Sequence, residues 1–134
     1  MFFLGHSIDT GIQQMLTDNN LLFDFENSDI IKKNNLKMIE NYNIFFRSYQ
    51  WLEPTVSLGR FQKEETINSN FCKKNNIPIV KRPTGGKALF HYNDFSISFV
   101  FRNHQKLNIS EYYKIAGNII YKTLKKLELS VELK

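Results

Sequence analysis

The sequence predicts an α+β fold, and three observations lead there. Residues 95–101 alternate strictly, with Phe95, Ile97, Phe99 and Phe101 on one side and Ser96 and Ser98 on the other, the period-two signature of a strand. Residues 108–127 place Tyr112, Ile115, Ala116, Ile119, Ile120, Thr123, Leu124 and Leu127 at helical spacing behind a capping pair, Asn108 and Glu111. The 134 residues are 42% hydrophobic and 14% aromatic, which is enough for one packed core and one domain spanning residues 1–134.

The other elements follow in order. Residues 2–8 read as a short strand, with Asp9, Thr10 and Gly11 as a turn or helix start. Across residues 11–25, Ile12, Met15, Leu16, Leu22 and Phe23 make an imperfect amphipathic helix, weakened by Thr17, Asp18, Asn19 and Asn20. Residues 27–43 are rich in Asn and Lys and read as a surface excursion with at most an irregular helix. Residues 44–49 favour a strand, in which Arg47 either serves a site or is a solvated strand cation, the second being the commoner case. A second strand at residues 55–58 ends at Gly59, and residues 64–75 read as a helix with Ile67 and Phe71 on one face. Strands at 77–81 and 88–92 flank a glycine pair, and the second forms a hairpin with 95–101 across Asn93 and Asp94. On that last strand the Phe side is assigned to the core, while the Ser side either lines a pocket or meets solvent. Beyond the long helix, Leu129, Val131 and Leu133 alternate as a further strand.

A net charge of +5 favours an anionic partner: nucleic acid, an acidic carrier protein or a nucleotide. The lysines are dispersed and no nucleic-acid-binding motif is present, which ranks nucleic acid last. A single cysteine precludes an internal disulfide and fits a reducing cytoplasm. The apolar start, Met1 to Leu4, is interrupted by Gly5, His6 and Asp9, short of a signal-peptide core or a membrane span, so a cytoplasmic protein without membrane association is expected. His6, His91 and His104 stand apart at no ligand spacing, which argues against a metal site. Lys73 and Lys74 beside Cys72 would lower a thiol pKa, but no neighbouring residue supplies a base, and Cys72 is expected to be structural.

The stretch with chemical character is Val80 to His91, where Lys81, Arg82 and Lys87 surround Gly85 and Gly86 between two strands. Glycines free to take positive φ let backbone N–H groups approach a ligand, Arg82 adds a planar donor fork for phosphate or carboxylate, and the lysines add point charges. On spacing alone, a glycine pair between two strands is more often an ordinary hairpin turn.

Lys81 to His91, together with Trp51 to Gln62 upstream, resembles the biotin/lipoate protein ligase superfamily in motif content and separation, and within it the octanoyltransferase and lipoate–protein ligase branch. Residues 7–22 are similar to the opening segment and first helix of those enzymes. The resemblance implies a mixed, mostly antiparallel sheet with helices packed on it. It implies a substrate-binding set of Trp51, Ser57, Gly59, Arg82, Thr84, Gly85, Gly86, Lys87, Ala88 and His91, with Gln62 nearby. His91 is expected near the pocket mouth as a positioning residue, and Trp51 is either a core or lid aromatic or a ligand contact.

Two mechanisms are compatible with this resemblance. A ligase would form an acyl-adenylate from lipoate, ATP and Mg²⁺ and pass the acyl group to a lysine of a lipoyl-domain acceptor. An octanoyltransferase would take octanoyl from an acyl-carrier protein through a thioester on its own cysteine. Neither implies a permanently bound cofactor, and Lys87 in the Pro-Thr-Gly-Gly-Lys form looks closer to the ATP-independent transferases. In the relatives the catalytic lysine and cysteine lie downstream of the last predicted strand, so catalytic residues are expected beyond Lys134, in a longer chain or a second polypeptide. Lys114, Ile115, Ala116 and Gly117 mimic the family's lysine motif, but inside a periodic helix, and Lys114 is not expected to be catalytic. A non-catalytic acyl-binding module or a degenerate remnant of such an enzyme is the alternative.

Overall fold

A computed structural model describes residues 1–33, 42–102 and 107–132. The chain divides into a larger unit, Met1–Val100, and a smaller one, Phe101–Lys134. The larger unit carries strands β1 (Phe2–Asp9), β2 (Ile44–Trp51), β3 (Thr55–Leu58), β4 (Ile79–Lys81) and β5 (Leu89–His91), and all of β6 (Phe95–Phe101) but its last residue. Its helices are α1 (Gly11–Phe23), α2 (Asp29–Lys33) and α3 (Ser69–Lys74), with 3₁₀ turns at Phe25–Asn27 and Glu64–Thr66. The strands form two three-stranded sheets, ordered β1-β2-β6 and β4-β3-β5.

The fold is α+β with mixed sheets, as the sequence predicts, but parallel pairing has a larger part than expected. β1 pairs with β2 and β3 with β4 in parallel, while β3 pairs with β5 antiparallel. The connections explain this. α1 and α2 lie between β1 and β2, and α3 between β3 and β4, so each link is a long crossover of the kind a parallel pair requires.

α1 starts where Thr10 Oγ1 accepts the amide of Gln13 at 3.3 Å, and it buries Met15 and Leu21. Leu21 joins Leu4, Ile31 and Phe45 in one apolar cluster, which gives α2 a core role that the reading of residues 27–43 as a surface excursion missed. The rest of that segment, residues 34–41, lies outside the described residues. The helix expected over residues 64–75 is broken: Ile67 is extended, and Asn68 restarts the helix by accepting the Phe71 amide at 3.0 Å. Phe71 is consequently exposed, and Cys72 is the residue that points inward, against Val56 and Leu58.

Two expectations about strand faces are corrected. Arg47 is 2% exposed, and every donor nitrogen of its side chain is used: Nε donates to Asp18 Oδ1 at 2.8 Å, Nη1 to Gln14 Oε1 at 2.7 Å and Nη2 to the Gln14 carbonyl at 2.7 Å. Its guanidinium also lies 4.1 Å from the centroid of the Tyr49 ring. The Ser face of β6, not the Phe face, serves this interior. Ser98 Oγ sits 2.9 and 2.8 Å from the two Asp18 oxygens, and Ser96 Oγ accepts the Trp51 indole N–H at 3.0 Å, whereas Phe95 is 57% exposed. The buried carboxylate and indole need polar partners, and only the serine side of the strand can supply them.

In the smaller unit, helix α4 (Ile109–Lys126) opens with the expected capping box, Asn108 Oδ1 accepting the Glu111 amide and Glu111 Oε2 accepting the Asn108 amide. The Phe101 and Tyr112 rings meet at 4.8 Å. Lys114 stands exposed on this helix. The helix closes with Glu128 at φ +60°, its amide donating to Lys125 O and that of Leu129 to Leu124 O. Residues 129–132 join no strand among the described residues, contrary to the expected alternation, because no described strand offers them a ladder; Leu133 and His104 lie outside the described residues. No helix among the described residues is long and apolar enough to cross a membrane.

Because Arg47 is buried with its charge matched by Asp18, Asp18→Ala should destabilise the fold by about 3–5 kcal/mol, read as a lower midpoint in urea unfolding. Burial, and then the Asp18 charge, push the Tyr49 phenol up from 10.0 to about 12. The neutral phenol is the form the fold favours, so its contribution is complete below pH 10 and lost as pH rises towards 12. Urea midpoints measured across that interval should fall less steeply in Tyr49→Phe than in the parent.

Candidate functional site

Strand β3 is central in its sheet, and Thr55, Val56, Ser57 and Leu58 are all buried. β4 runs parallel along one side with Lys81 opposite Leu58, and β5 returns along the other with Leu89 opposite Ser57 and His91 opposite Thr55. Residues 82–88 must therefore climb over the C-terminal end of β3. They are not a hairpin turn, since β4 and β5 are separated by a strand.

The crossing is tight. A Cβ on Gly59 would fall 1.9 Å from the Gly86 carbonyl oxygen, so the two backbones touch where no side chain fits. Gly86 takes φ +102°, and a Cβ there would meet Arg82 Nη2 at 2.7 Å. The Arg82 amide donates to Leu58 O at 2.9 Å and the Arg60 amide to Thr84 O at 2.8 Å, which seats both sides of the loop on the strand end.

Arg82 is spent on the loop itself. Nη2 donates to the carbonyls of Gly85 at 3.0 Å and Lys87 at 2.7 Å, while Nη1 donates to Ser57 O at 3.0 Å and Ser57 Oγ at 3.2 Å. A trans peptide holds each carbonyl opposite the next amide. With the Gly85 and Lys87 carbonyls drawn to Arg82, the amides of Gly86 and Ala88 are turned away from it, while the Thr84 carbonyl is held by the Arg60 amide. The amides of Gly85, Gly86 and Lys87 meet no acceptor among the described residues. Thr84, Gly85, Gly86 and Lys87 are exposed, whereas Ala88 packs against the Val56 and Leu58 cluster. The result is a carbonyl-in, amide-out arch suited to an oxyanion, with the charges of Lys81 and Lys87 at its shoulders.

His91 lies beneath the arch, 7% exposed, with Nε2 2.8 Å from Ser57 Oγ and Nδ1 2.7 Å from Asp94 Oδ2. Trp51 stacks on the imidazole, centroids 3.8 Å apart and planes 11° from parallel. The structure thus brings Trp51, Ser57, Gly59, Arg82, Gly85, Gly86, Lys87 and His91 into one connected neighbourhood. Gln62 reaches it weakly, Oε1 accepting the Gly59 amide at 3.4 Å. Asp94, read from the sequence only as half of a turn pair, is the member that was missed. The available signal was the turn-prone pair Asn93 and Asp94 itself; in the structure Asn93 takes φ +54°, and the residue three beyond His91 returns to its ring. A separate cavity of about 480 Å³, lined by residues including Gly5, Ser7, Gln14 and Arg47, includes none of the loop residues.

Gly59→Ala should unseat the loop and lower stability by about 1–3 kcal/mol in thermal denaturation. Gly85→Ala, with no heavy atom within 4 Å of the added carbon, should stay within about 0.5 kcal/mol of the parent.

Residues 30–134 match the lipoyl protein ligase A/B catalytic domain family. The octanoyltransferase LipM of Carboxydothermus hydrogenoformans is 32% identical over 124 residues, covering 88% of this chain and 41% of LipM. A Thermoplasma acidophilum protein with bound lipoic acid superposes with a TM-score of 0.74 at 21% identity, over 98% of this chain and 51% of that one. A structure described as a bi-partite lipoate protein ligase of Thermoplasma acidophilum superposes with a TM-score of 0.68 at 21% identity, over 97% and 48% respectively. The chain spans about two fifths of the LipM length and half of each structure, and it belongs to the lipoyl protein ligase A/B catalytic domain family.

Proposed function

We propose that this chain supplies the acyl-binding part of an enzyme of protein lipoylation, one that transfers an octanoyl group to a lysine of a lipoyl-domain acceptor. The observation that carries this reading is the arch over β3: amides at 85–87 that meet no acceptor among the described residues, a glycine at 85 with open space before it, and Arg82 holding the Gly85 and Lys87 carbonyls. Such an arch suits the oxygen of a polarised acyl carbonyl or a phosphate. Octanoyl is favoured over lipoyl because the LipM likeness covers most of this chain and because Lys87 follows the glycine pair. An acyl-carrier protein would then be the donor, and ATP with Mg²⁺ would enter only in a ligase-type reaction.

Neither Cys72 nor Lys114 is assigned a chemical step. Cys72 is 5% exposed among Val56 and Leu58, and Lys114 sits within α4. The reading therefore assigns the acyl-carrying nucleophile and the polarising lysine to polypeptide outside these 134 residues. The bi-partite ligase of Thermoplasma acidophilum supports a division between two chains.

Intact-mass analysis of an apo lipoyl domain tests this. The domain is incubated with this chain, the C-terminal part of a LipM relative, and either octanoyl-acyl-carrier protein or lipoate with ATP and Mg²⁺. An octanoyl mass gain is expected in the first mixture. Arg82→Ala should lower turnover by about 2–4 kcal/mol, roughly 30- to 1000-fold, through loss of the carbonyl anchor. Unchanged acyl affinity in that variant would sink the assignment of the loop. Gly85→Ala should weaken acyl binding while leaving stability intact.

A further inference from the structure

The contacts around Ser57 form a continuous chain: Asp94 Oδ2, His91 Nδ1, His91 Nε2, Ser57 Oγ, Arg82 Nη1, and from Arg82 Nη2 the carbonyls of Gly85 and Lys87. Serine, histidine and aspartate in this order suggest nucleophilic catalysis, but the surroundings argue otherwise. Ser57 is 1% exposed on a central strand and its oxygen already receives Arg82, so it has neither access nor a free lone pair aimed at a substrate.

The hydrogen bonds have one self-consistent direction. An ionised Asp94 only accepts, so Nδ1 carries the proton and Nε2 accepts from the Ser57 hydroxyl. The Ser57 oxygen is then free to accept from Arg82 Nη1. With the proton on Nε2 instead, two donors would converge on Ser57 Oγ, and its hydroxyl hydrogen would need a new acceptor in a buried site. Asp94 is itself oriented by His91, because its other oxygen is buried with no partner among the described residues. Trp51 holds the ring in plane by stacking and is anchored in turn to Ser96.

We propose that Asp94 is a positioning residue: through the tautomer of His91 and the hydroxyl of Ser57, it sets the direction in which Arg82 holds the loop carbonyls, and so presents the amides of residues 85–87 to an oxyanion. The ligand part of this statement rests on the acyl-binding reading above; the proton arrangement does not.

Nitrogen NMR tests it in the full chain. The protein has three histidines and six glycines, so His6→Gln, His104→Gln and Gly85→Ala suffice to assign the His91 ring and the loop glycines. In the parent, His91 should carry its proton on Nδ1. Asp94→Asn, whose amide can donate to Nδ1, should move that proton to Nε2 and shift the Gly85 and Gly86 amide resonances in the ligand-free protein. Octanoate affinity should drop about tenfold, as expected for one lost charge-assisted bond. Ser57→Ala, cutting the chain in the middle, should shift the same glycine resonances while leaving His91 protonated on Nδ1. A parent protonated on Nε2, or a tautomer change that leaves Gly85 and Gly86 unmoved, would overturn the proposal. If the tautomer and the glycines respond as expected but octanoate binds to neither protein, the relay stands and the acyl-binding reading fails.

Discussion

The buried pair of Arg47 and Asp18 is the constraint on which the larger unit depends. A guanidinium out of water is tolerated only when each of its donors is met, and here the acceptors come from Asp18 and Gln14 on α1, with Tyr49 and Ser98 completing the shell around the carboxylate. Meeting that requirement fixes α1 against β2 and β6 at one depth and one rotation. Met15, on the same helix, is thereby placed in a cluster with Tyr49, Trp51 and Val80. Val80 lies in β4, which leads into the loop, and Trp51 is the plate on which His91 stacks. The ion pair and the loop are thus connected by contiguous packing, with no contact between them.

Two arginines that look alike in the sequence are both consumed by the protein. Arg47 saturates a buried carboxylate, and Arg82 saturates carbonyls of its own loop. Neither presents a free fork to solvent, so the anion binding proposed for the arch would fall to backbone amides, with Lys81 and Lys87 as supporting charge. This has a consequence for recognition. Amides arranged by an internal arginine are preorganised before any ligand arrives, and they select the shape and charge of an oxygen atom, not the length of the chain attached to it.

What could be read from the sequence follows from what is local. Alternation in β6 and the capped period of α4 are properties of neighbouring residues, and both elements appear where expected. The contents of the loop were also legible, because glycine and arginine in that order constrain the backbone directly. What could not be read was which way faces turn. Alternation says that Phe95 and Ser96 point oppositely but not which one points inward; that was decided by Asp18 and Trp51, far away in the chain. Arg47 was misjudged for the same reason, since its carboxylate partner sits 29 positions earlier. The helix over 64–75 failed locally: Asn68 is a better cap than a helix interior residue, and the chain restarts there.

The arch is self-contained in a way that the proposed reaction is not. Every group that shapes it belongs to residues 51–96: the strand end that it crosses, the glycine that it touches, the arginine that draws its carbonyls in, and the Asp94, His91 and Ser57 series with Trp51 and Ser96 behind the ring. Holding a carbonyl oxygen requires only this fixed geometry. Moving an acyl group requires in addition a nucleophile and a proton carrier that approach the same carbonyl from another side, and groups with that task need not come from the same stretch of chain. A binding half with its own internal bracing can therefore keep its geometry while the chemistry is brought to it, which is the physical condition for dividing such a reaction between two parts of a fold or between two polypeptides.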